Sequence, residues 1–290
     1  MTSPALPPYS ASVKSNVSDE LINTYLLRPI AHLVVRIVFH TQVTPNQVTI
    51  ASIVAGCVAA ILFGVSGPVL TPVAGMCVTV KDLLDSADGQ LARAKKMYSR
   101  TGRFLDSLGD LLVNALVFGA ISFALYKKWG SPLVFCAGAA GFAGISLRVS
   151  YHVFYQTSFL HLRSAYEINR TSEEILKSDL EGDPRALRLQ RLFLFFYGWQ
   201  DRLMMLLDRW SSGGVPPNLM DKWYSDRVAL RLSGFLGLGT ELFTVMVFAV
   251  MNRLEWYLVV NILIFNGLWL ACILYRKRVL APRMSHMVRF

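Results

Sequence analysis

Long apolar stretches alternate with short polar ones along most of the chain. A helix that crosses a lipid bilayer needs about 20 largely apolar residues, and six stretches approach that length. The first of them is QVTIASIVAGCVAAILFGVS. Their approximate positions are 47–66, 68–93, 103–126, 131–156, 230–251 and 256–275. The pattern predicts an all-α integral membrane protein with about six transmembrane helices, in which the first two and the last two form antiparallel hairpins.

Two further segments place basic residues on an apolar helical pattern. Residues 20–40, ELINTYLLRPIAHLVVRIVFH, precede the first apolar stretch, and residues 187–210, LRLQRLFLFFYGWQDRLMMLLDRW, follow the fourth. Both are typical of interfacial amphipathic helices, although the second segment also suits a helix that packs on its own domain. The residues TPNQ predict a helix start, because Thr44 can cap, Pro45 suits the first helical position and Gln47 can complete a capping box.

These patterns divide the chain into four predicted parts. They are a flexible N-terminus at 1–18, an amphipathic interfacial segment at 19–43, a six-helix transmembrane domain at 44–280 with an insertion at about 157–228, and a basic tail at 281–290. The first 20 residues have no apolar core region, so we do not expect a secretory signal peptide there. The insertion is charged and helix-prone, and it suits a cover for a site, a partner-binding segment or a solvated loop.

The basic residues predict how the helices are oriented. One set of loops carries the linker at 94–102, the insertion and the tail, all rich in Lys and Arg, whereas the opposite set has only Lys127, Lys128 and Arg253. The positive-inside rule then places both termini in the cytoplasm. The net charge of +10 is typical of loops that face anionic lipid, and no recognisable nucleic-acid-binding module accompanies it. We therefore expect no nucleic-acid partner.

The four cysteines are Cys57, Cys77, Cys136 and Cys272, each inside an apolar stretch. No pair has metal-ligand spacing. They are therefore interpreted as small buried apolar residues.

Charged residues are concentrated where the second predicted span ends and the third begins. Asp85 and Asp88 are three residues apart, Asp106 and Asp110 are four apart, and each pair shares a helix face. A short basic linker joins the two helices, so folding brings the four carboxylates together. Charges in a span cost a few kcal/mol each, which indicates compensation by hard divalent cations with oxygen ligands, and four carboxylates suit two ions. A structural cluster with Arg93 or Lys95 is the alternative.

The spacing of this run resembles the signature of the CDP-alcohol phosphotransferase (CDP-alcohol phosphatidyltransferase) family at all eight positions. The match covers the 26 residues from Asp85 to Asp110, and the six-span layout with a preceding amphipathic helix is also similar to that family. The eight positions are Asp85, Asp88, Gly89, Ala92, Arg93, Gly102, Asp106 and Asp110.

The resemblance implies a membrane enzyme of phospholipid biosynthesis, and it implies a homodimer. Such an enzyme transfers a substituted phosphate group from CDP-diacylglycerol or a CDP-alcohol to the hydroxyl of an alcohol acceptor and releases CMP, with Mg²⁺ or Mn²⁺ as cofactor. By matched position, Asp85, Asp88 and Asp106 are expected to hold the metal, and Asp110 to join the metal site and act as general base. Four residues are expected to border the CDP group: Gly89, Ala92, Arg93 and Gly102.

Asp82 and Lys81 lie outside the signature. Asp82 is one turn before Asp85 on the same side, so it can contact the nucleotide or orient a metal ligand. A structural pair of Lys81 with Asp82 is an equally good interpretation.

Two arginines are candidates for the acceptor. Arg148 lies inside the fourth predicted span and Arg231 opens the fifth. Arginines within a membrane usually face the bundle interior, where these two can meet a phosphate on the acceptor, as in a phosphatidylinositol-phosphate or phosphatidylglycerol-phosphate type synthase. The alternative is that they extend to the interface or pair with an acid such as Glu241.

Two other functions remain open at this point. A cation-conducting transporter would also carry acidic residues in its spans. A non-catalytic family member acting as a scaffold would share the layout, although all eight signature residues are intact.

Overall fold

The computed structural model describes residues 20, 22–162, 173–175, 179 and 183–286. The predicted flexible N-terminus, residues 19 and 21 of the interfacial segment, residues 163–172, 176–178 and 180–182 of the predicted insertion, and the last four residues of the basic tail lie outside the described residues. Regular secondary structure in the described ranges is helical throughout, without a strand. The all-α prediction is confirmed.

The first half of the chain forms five helices joined by short connections. A π-helical turn, Asn23–Leu27, leads into the first of them. The helices are α1 (Arg28–Val38), α2 (Pro45–Val65), α3 (Leu70–Lys95), α4 (Arg100–Trp129) and α5 (Leu133–Leu162).

The second half begins with a long helix and continues through shorter ones. A 3₁₀ turn, Pro217–Leu219, precedes α7, and the π-helical segments Val260–Phe265 and Arg276–Leu280 join the last three helices into one path. The helices are α6 (Pro184–Ser211), α7 (Met220–Ser225), α8 (Arg227–Gly234), α9 (Leu238–Val250), α10 (Leu254–Val259), α11 (Asn266–Tyr275) and α12 (Ala281–His286).

The start of α2 follows from local chemistry. The amide of Thr44 donates a hydrogen bond to Oε1 of Gln47 at 2.9 Å, and the amide of Gln47 donates to Oγ1 of Thr44 at 3.4 Å. Pro45 occupies the first helical position, where a missing N–H costs nothing. The predicted capping box is confirmed.

Five helical segments are long and apolar enough to cross a membrane. They are Pro45–Val65, Arg100–Trp129, Leu133–Leu162, Arg227–Val250 and Leu254–Ser285. The helix α3 is also long enough, since 26 residues extend about 39 Å, but from its middle onward it carries Lys81, Asp82, Asp85 and Asp88. The predicted count of six is consistent with the fold once α3 is included.

Small residues let α3 and its neighbours approach closely. A Cβ atom on Gly75 would lie 2.7 Å from the Cβ of Ala249 on α9, and one on Gly56 of α2 would lie 2.4 Å from Cγ1 of Val113 on α4. Small residues at helix contacts are typical of membrane bundles. The helix α2 packs closely along both α3 and α4, while the backbones of α3 and α4 approach each other much less. Space for side chains therefore remains between α3 and α4.

The two predicted interfacial segments are both helical. In α1, Ala31 and Val35 are buried while Ile30 and Ile37 are exposed. The helix α6 is capped by Asp183, whose carboxylate accepts a hydrogen bond from the amide of Arg185 at 2.9 Å.

One side of α6 packs on α4, where the Tyr197 hydroxyl donates to the carbonyl of Ser107 at 2.9 Å. Large apolar side chains of α6 are exposed elsewhere: Phe195, Trp199, Leu206 and Trp210. Packing on its own domain, the alternative weighed for this segment, is thus observed, and contact of the exposed residues with the membrane surface stays a prediction.

Candidate active site

The turn between α3 and α4 sets the geometry of the acidic run. Lys96 ends α3 in a left-handed conformation with φ 55°, and the hydroxyl of Ser99 accepts a hydrogen bond from the amide of Gly102 at 2.9 Å, which caps α4. The ammonium group of Lys95 donates to the carbonyls of Thr41 and Val43, each at 2.8 Å, and ties the turn to the segment before α2. The polar end of α3 is thereby held against the polar start of α4.

Three of the four signature carboxylates form one cluster. Each of Asp85, Asp88 and Asp106 has a carboxylate oxygen, and these three oxygens lie within 4.8 Å of one another. Oδ1 of Asp106 is buried and accepts no hydrogen bond from any described residue. Buried polar atoms without a partner call for an ion or water, and three carboxylate oxygens are ligands that hard divalent cations prefer. The residues present therefore fit a divalent metal ion.

Thr49 of α2 completes the surroundings of Asp88. Its hydroxyl donates a hydrogen bond to Oδ2 of Asp88, and both side chains are buried. The same hydroxyl lies 3.2 Å from the carbonyl of Pro45, in the first turn of α2. Sequence analysis did not identify Thr49, since it lies 39 positions before Asp88 and outside the charged run.

Lys81 contacts the fourth signature carboxylate. Its ammonium group donates to Oδ1 of Asp110 and lies 3.7 Å from Oδ1 of Asp85, and its side chain is 1% exposed. Asp110 is thus held by Lys81 and is not part of the cluster of three. The structure shows Lys81 paired with Asp110 across the helices, not with Asp82. The sequence signal for a functional role of Lys81 was its position four residues before Asp85, which places the two side chains on one helix face.

The remaining residues predicted to border the nucleotide line the same ends of α3 and α4. The guanidinium of Arg93 lies along the face of α3 over Gly89, where a Cβ atom would be 3.4 Å from Nη1. A Cβ on Gly102 would lie 2.6 Å from Oδ1 of Asn46, so Gly102 lets α4 approach the start of α2. Asp82 is buried on α3 and Ala92 is half-buried. Contact of these residues with a donor stays a prediction.

An acidic part of the predicted insertion covers the start of α4. Glu173 forms ion pairs with Nη2 of Arg100 at 2.7 Å and Nη2 of Arg103 at 2.6 Å, and Asp179 contacts Arg100. The amide of Gln190 on α6 donates to Glu173 at 3.1 Å and to Asp179 at 3.2 Å. Because Arg100 and Arg103 flank Gly102, this part of the insertion lies beside the signature.

The two arginines predicted for the acceptor have different surroundings. Arg148 is fully buried, where Nη2 lies 2.9 Å from Oε2 of Glu241 on α9 and Nη1 donates to the carbonyl of Asn261 at 3.1 Å. The pair with Glu241 is the alternative that the sequence left open. Arg231 is exposed on α8. A role of either residue in acceptor binding stays a prediction.

Comparisons with known proteins match the part of the chain that contains this site. The family model described as CDP-alcohol phosphatidyltransferase matches residues 42–161, from the segment before α2 to the end of α5. Over 133 residues the chain is 29% identical to a bifunctional IPC transferase and DIPP synthase of Thermococcus kodakarensis. This alignment covers 46% of the chain and 29% of that protein. A protein of the same name from Archaeoglobus fulgidus is 32% identical over 126 residues, covering 43% of the chain and 24% of that protein.

An archaetidylinositol phosphate synthase of Pyrococcus horikoshii is 36% identical over 87 residues, covering 30% of the chain and 45% of that protein. The chain thus spans less than half the length of each of these relatives. The segment matched by the family model contains the acidic cluster and all eight signature positions. The chain is a multi-pass membrane protein whose residues 42–161 match the CDP-alcohol phosphatidyltransferase family model.

Proposed function

We propose that the protein is an enzyme of phospholipid biosynthesis that transfers a substituted phosphate group from a CDP-linked donor to the hydroxyl of an alcohol acceptor and releases CMP. The observation that carries the proposal is the cluster of Asp85, Asp88 and Asp106, whose carboxylate oxygens lie within 4.8 Å at the junction of α3 and α4. The cluster lies inside the segment that matches the family model. Chemistry at this cluster, rather than the fold alone, supports the function.

Divalent metal ions, Mg²⁺ or Mn²⁺, are the proposed cofactor. Asp85, Asp88 and Asp106 would hold the first ion, and Asp110 would contribute to a second. Such ions neutralise the diphosphate of the donor and stabilise the departing CMP. The hydroxyl of Thr49 orients Asp88 for this purpose. The CDP-linked donor would be bound by Gly89, Ala92, Arg93, Gly102 and Asp82.

Asp110 is the proposed general base on the acceptor hydroxyl. A general base must lie within hydrogen-bonding distance of the proton that it accepts. In the structure one oxygen of Asp110 is in contact with Lys81. A carboxylate has two oxygens and several lone pairs, so the second oxygen remains suited to a hydroxyl. The pairing with Lys81 positions Asp110 on the same side of the site as Asp85.

The acceptor is proposed to be a phosphorylated polyol of the inositol phosphate type, with glycerol phosphate as the alternative. The name of the Pyrococcus horikoshii relative supports the first choice. The exposed guanidinium of Arg231 would bind the phosphate, and Arg148 would do so only if it left Glu241. CDP-diacylglycerol is the proposed donor, because the site lies in a membrane bundle, and a CDP-alcohol is its alternative.

The proposed orientation places both termini and the acidic end of α3 in the cytoplasm. The basic loops support this topology through the positive-inside rule. A homodimer is proposed from the family resemblance alone.

The direct test is release of CMP by the purified protein in detergent or nanodiscs. CDP-diacylglycerol or CDP-choline would be supplied with a panel of alcohols, including inositol phosphate and glycerol phosphate, in the presence of Mg²⁺, Mn²⁺ or EDTA. We expect metal-dependent CMP and a lipid product identified by mass spectrometry. Asp106→Asn should abolish CMP release, while Asp221→Asn, at an exposed position of α7, should not.

Absence of CMP with every donor and both metals would contradict the proposal. Metal-dependent cation flux into liposomes without CMP would favour a transporter, and neither activity would favour a scaffold.

A further inference from the structure

The side chain of Lys81 places a positive charge beside Asp110. The ammonium group of Lys81 donates to Oδ1 of Asp110 and lies 3.7 Å from Oδ1 of Asp85. The four signature carboxylates are therefore divided. Three of them share the cluster whose oxygens lie within 4.8 Å, and the fourth is hydrogen-bonded to Lys81, which also forms an ion pair with Asp85 of the cluster.

Lys81 is placed there by two helices. Its side chain is 1% exposed, and its backbone carbonyl accepts a hydrogen bond from the hydroxyl of Ser52 on α2 at 3.0 Å. A buried ammonium group is costly to leave without a charged partner. Lys81 therefore cannot simply move aside into apolar surroundings when another cation approaches Asp110. It must exchange one anionic partner for another.

We propose that Lys81 acts as a tethered cation that competes with the second divalent ion for Asp110, so that the protein without substrate binds one divalent ion strongly and a second only weakly. This inference rests on the proposed function, since it concerns the same site. Asp85, Asp88 and Asp106 bind the strong ion. Lys81 competes with a second ion for Asp110, both by occupying its oxygen and by charge repulsion.

Charge repulsion between Lys81 and a second ion determines how much the affinity for that ion should change when the Lys81 charge is removed. Two like charges about 4 Å apart repel by several kcal/mol even at an effective dielectric constant of about 20. A tenfold change in affinity corresponds to about 1.4 kcal/mol. Removal of the Lys81 charge should therefore strengthen binding of the second ion by at least about tenfold.

The experiment counts bound Mn²⁺ in the purified full chain without nucleotide. Free Mn²⁺ would be measured by electron paramagnetic resonance during a titration. We expect one strong and one weak ion in the wild type, and two ions of similar affinity in Lys81→Met. Lys81→Arg keeps the charge and should behave as the wild type. Lys81→Met combined with Asp110→Asn should return to one strong ion, since the released ligand is then neutral.

Lys222→Met, at an exposed position of α7, is the matched control and should leave both affinities unchanged. Two equally strong ions in the wild type would overturn the proposal without any variant, and so would a second-ion affinity that Lys81→Met leaves unchanged. Either result would leave the proposed function intact. Absence of Mn²⁺ binding from the wild type would instead contradict the proposed metal site itself, together with this inference.

Discussion

Thr49 on α2 donates a hydrogen bond to Oδ2 of Asp88 on α3. Both side chains are buried, with Thr49 4% and Asp88 8% exposed. A hydrogen bond to one carboxylate oxygen restricts rotation of the group and leaves the other oxygen available for a cation. Outer groups of this kind orient the ligands of a metal and tune its affinity. Thr49 is therefore a positioning residue for the acidic cluster.

We expect Thr49→Val to weaken Mn²⁺ binding or CMP release by about 10- to 100-fold, which is typical of the loss of such a partner. Valine keeps the shape of the side chain but donates no hydrogen bond. Mn²⁺ affinity and the initial rate of CMP release would be measured on the same preparation. Thr79→Val is the matched control, because among the described residues the Thr79 hydroxyl donates only to the carbonyl of Gly75 within α3, at 3.3 Å. Equal losses of Mn²⁺ affinity and of CMP release in the two variants would contradict a positioning role for Thr49.

Asp110 should be needed for the reaction but not for the strong metal ion. We expect Asp110→Asn to slow CMP release by about 100-fold or more, the usual contribution of a positioned base. The cluster of Asp85, Asp88 and Asp106 does not include Asp110, so one Mn²⁺ should still bind. Asp106→Asn, compared in parallel, should lose both activity and the ion. Full turnover by Asp110→Asn would exclude Asp110 as the base.

Much of the fold could be predicted because it depends on local chemistry. The capping box at Thr44 needs only residues three positions apart, and α2 and α5 are apolar along most of their length. The helix α3 is different. The charges from its middle onward take it below the composition of an ordinary span, and its apolar first half is what predicts a membrane helix.

The site was predictable along each helix but not between helices. The spacing of Asp85 and Asp88 is sufficient to place them on one face. Contacts across helices depend on how α2, α3 and α4 are rotated about their axes, and the sequence of one helix does not determine this rotation. The contacts of Lys81 with Asp110 and of Thr49 with Asp88 are of this second kind.

The buried pair of Arg148 and Glu241 should contribute to stability. Nη2 of Arg148 lies 2.9 Å from Oε2 of Glu241, and the hydroxyl of Tyr257 donates to the same carboxylate at 2.9 Å. Glu241→Gln would leave the Arg148 charge buried without its partner, and we expect a loss of about 3–5 kcal/mol in the free energy of unfolding. Thermal unfolding in detergent would measure this loss.

A double variant separates pairing from acceptor binding. Arg148→Met with Glu241→Gln should lose less stability than the sum of the two single variants, because no unpaired charge remains. Additive losses would show that the two residues act independently. If Arg148 also binds the acceptor, the double variant should be folded but have a raised KM for the acceptor phosphate.

Asp201 on α6 should make stability depend on pH. Burial, and to a lesser extent the nearby charge of Glu173, raises the pKa of Asp201 from its usual 3.8 to about 6. The folded state therefore disfavours the charged carboxylate, and stability is lost as the pH rises from about 4 to above 6.

Asp201→Asn removes this penalty and should stabilise the protein at about pH 7 by on the order of 1 kcal/mol, less than the full shift implies because the side chain is partly exposed. The difference in unfolding temperature between this variant and the wild type should disappear below about pH 4. A gain from Asp201→Asn that is equal at both pH values would mean that lost contacts, and not ionisation of Asp201, cause the change.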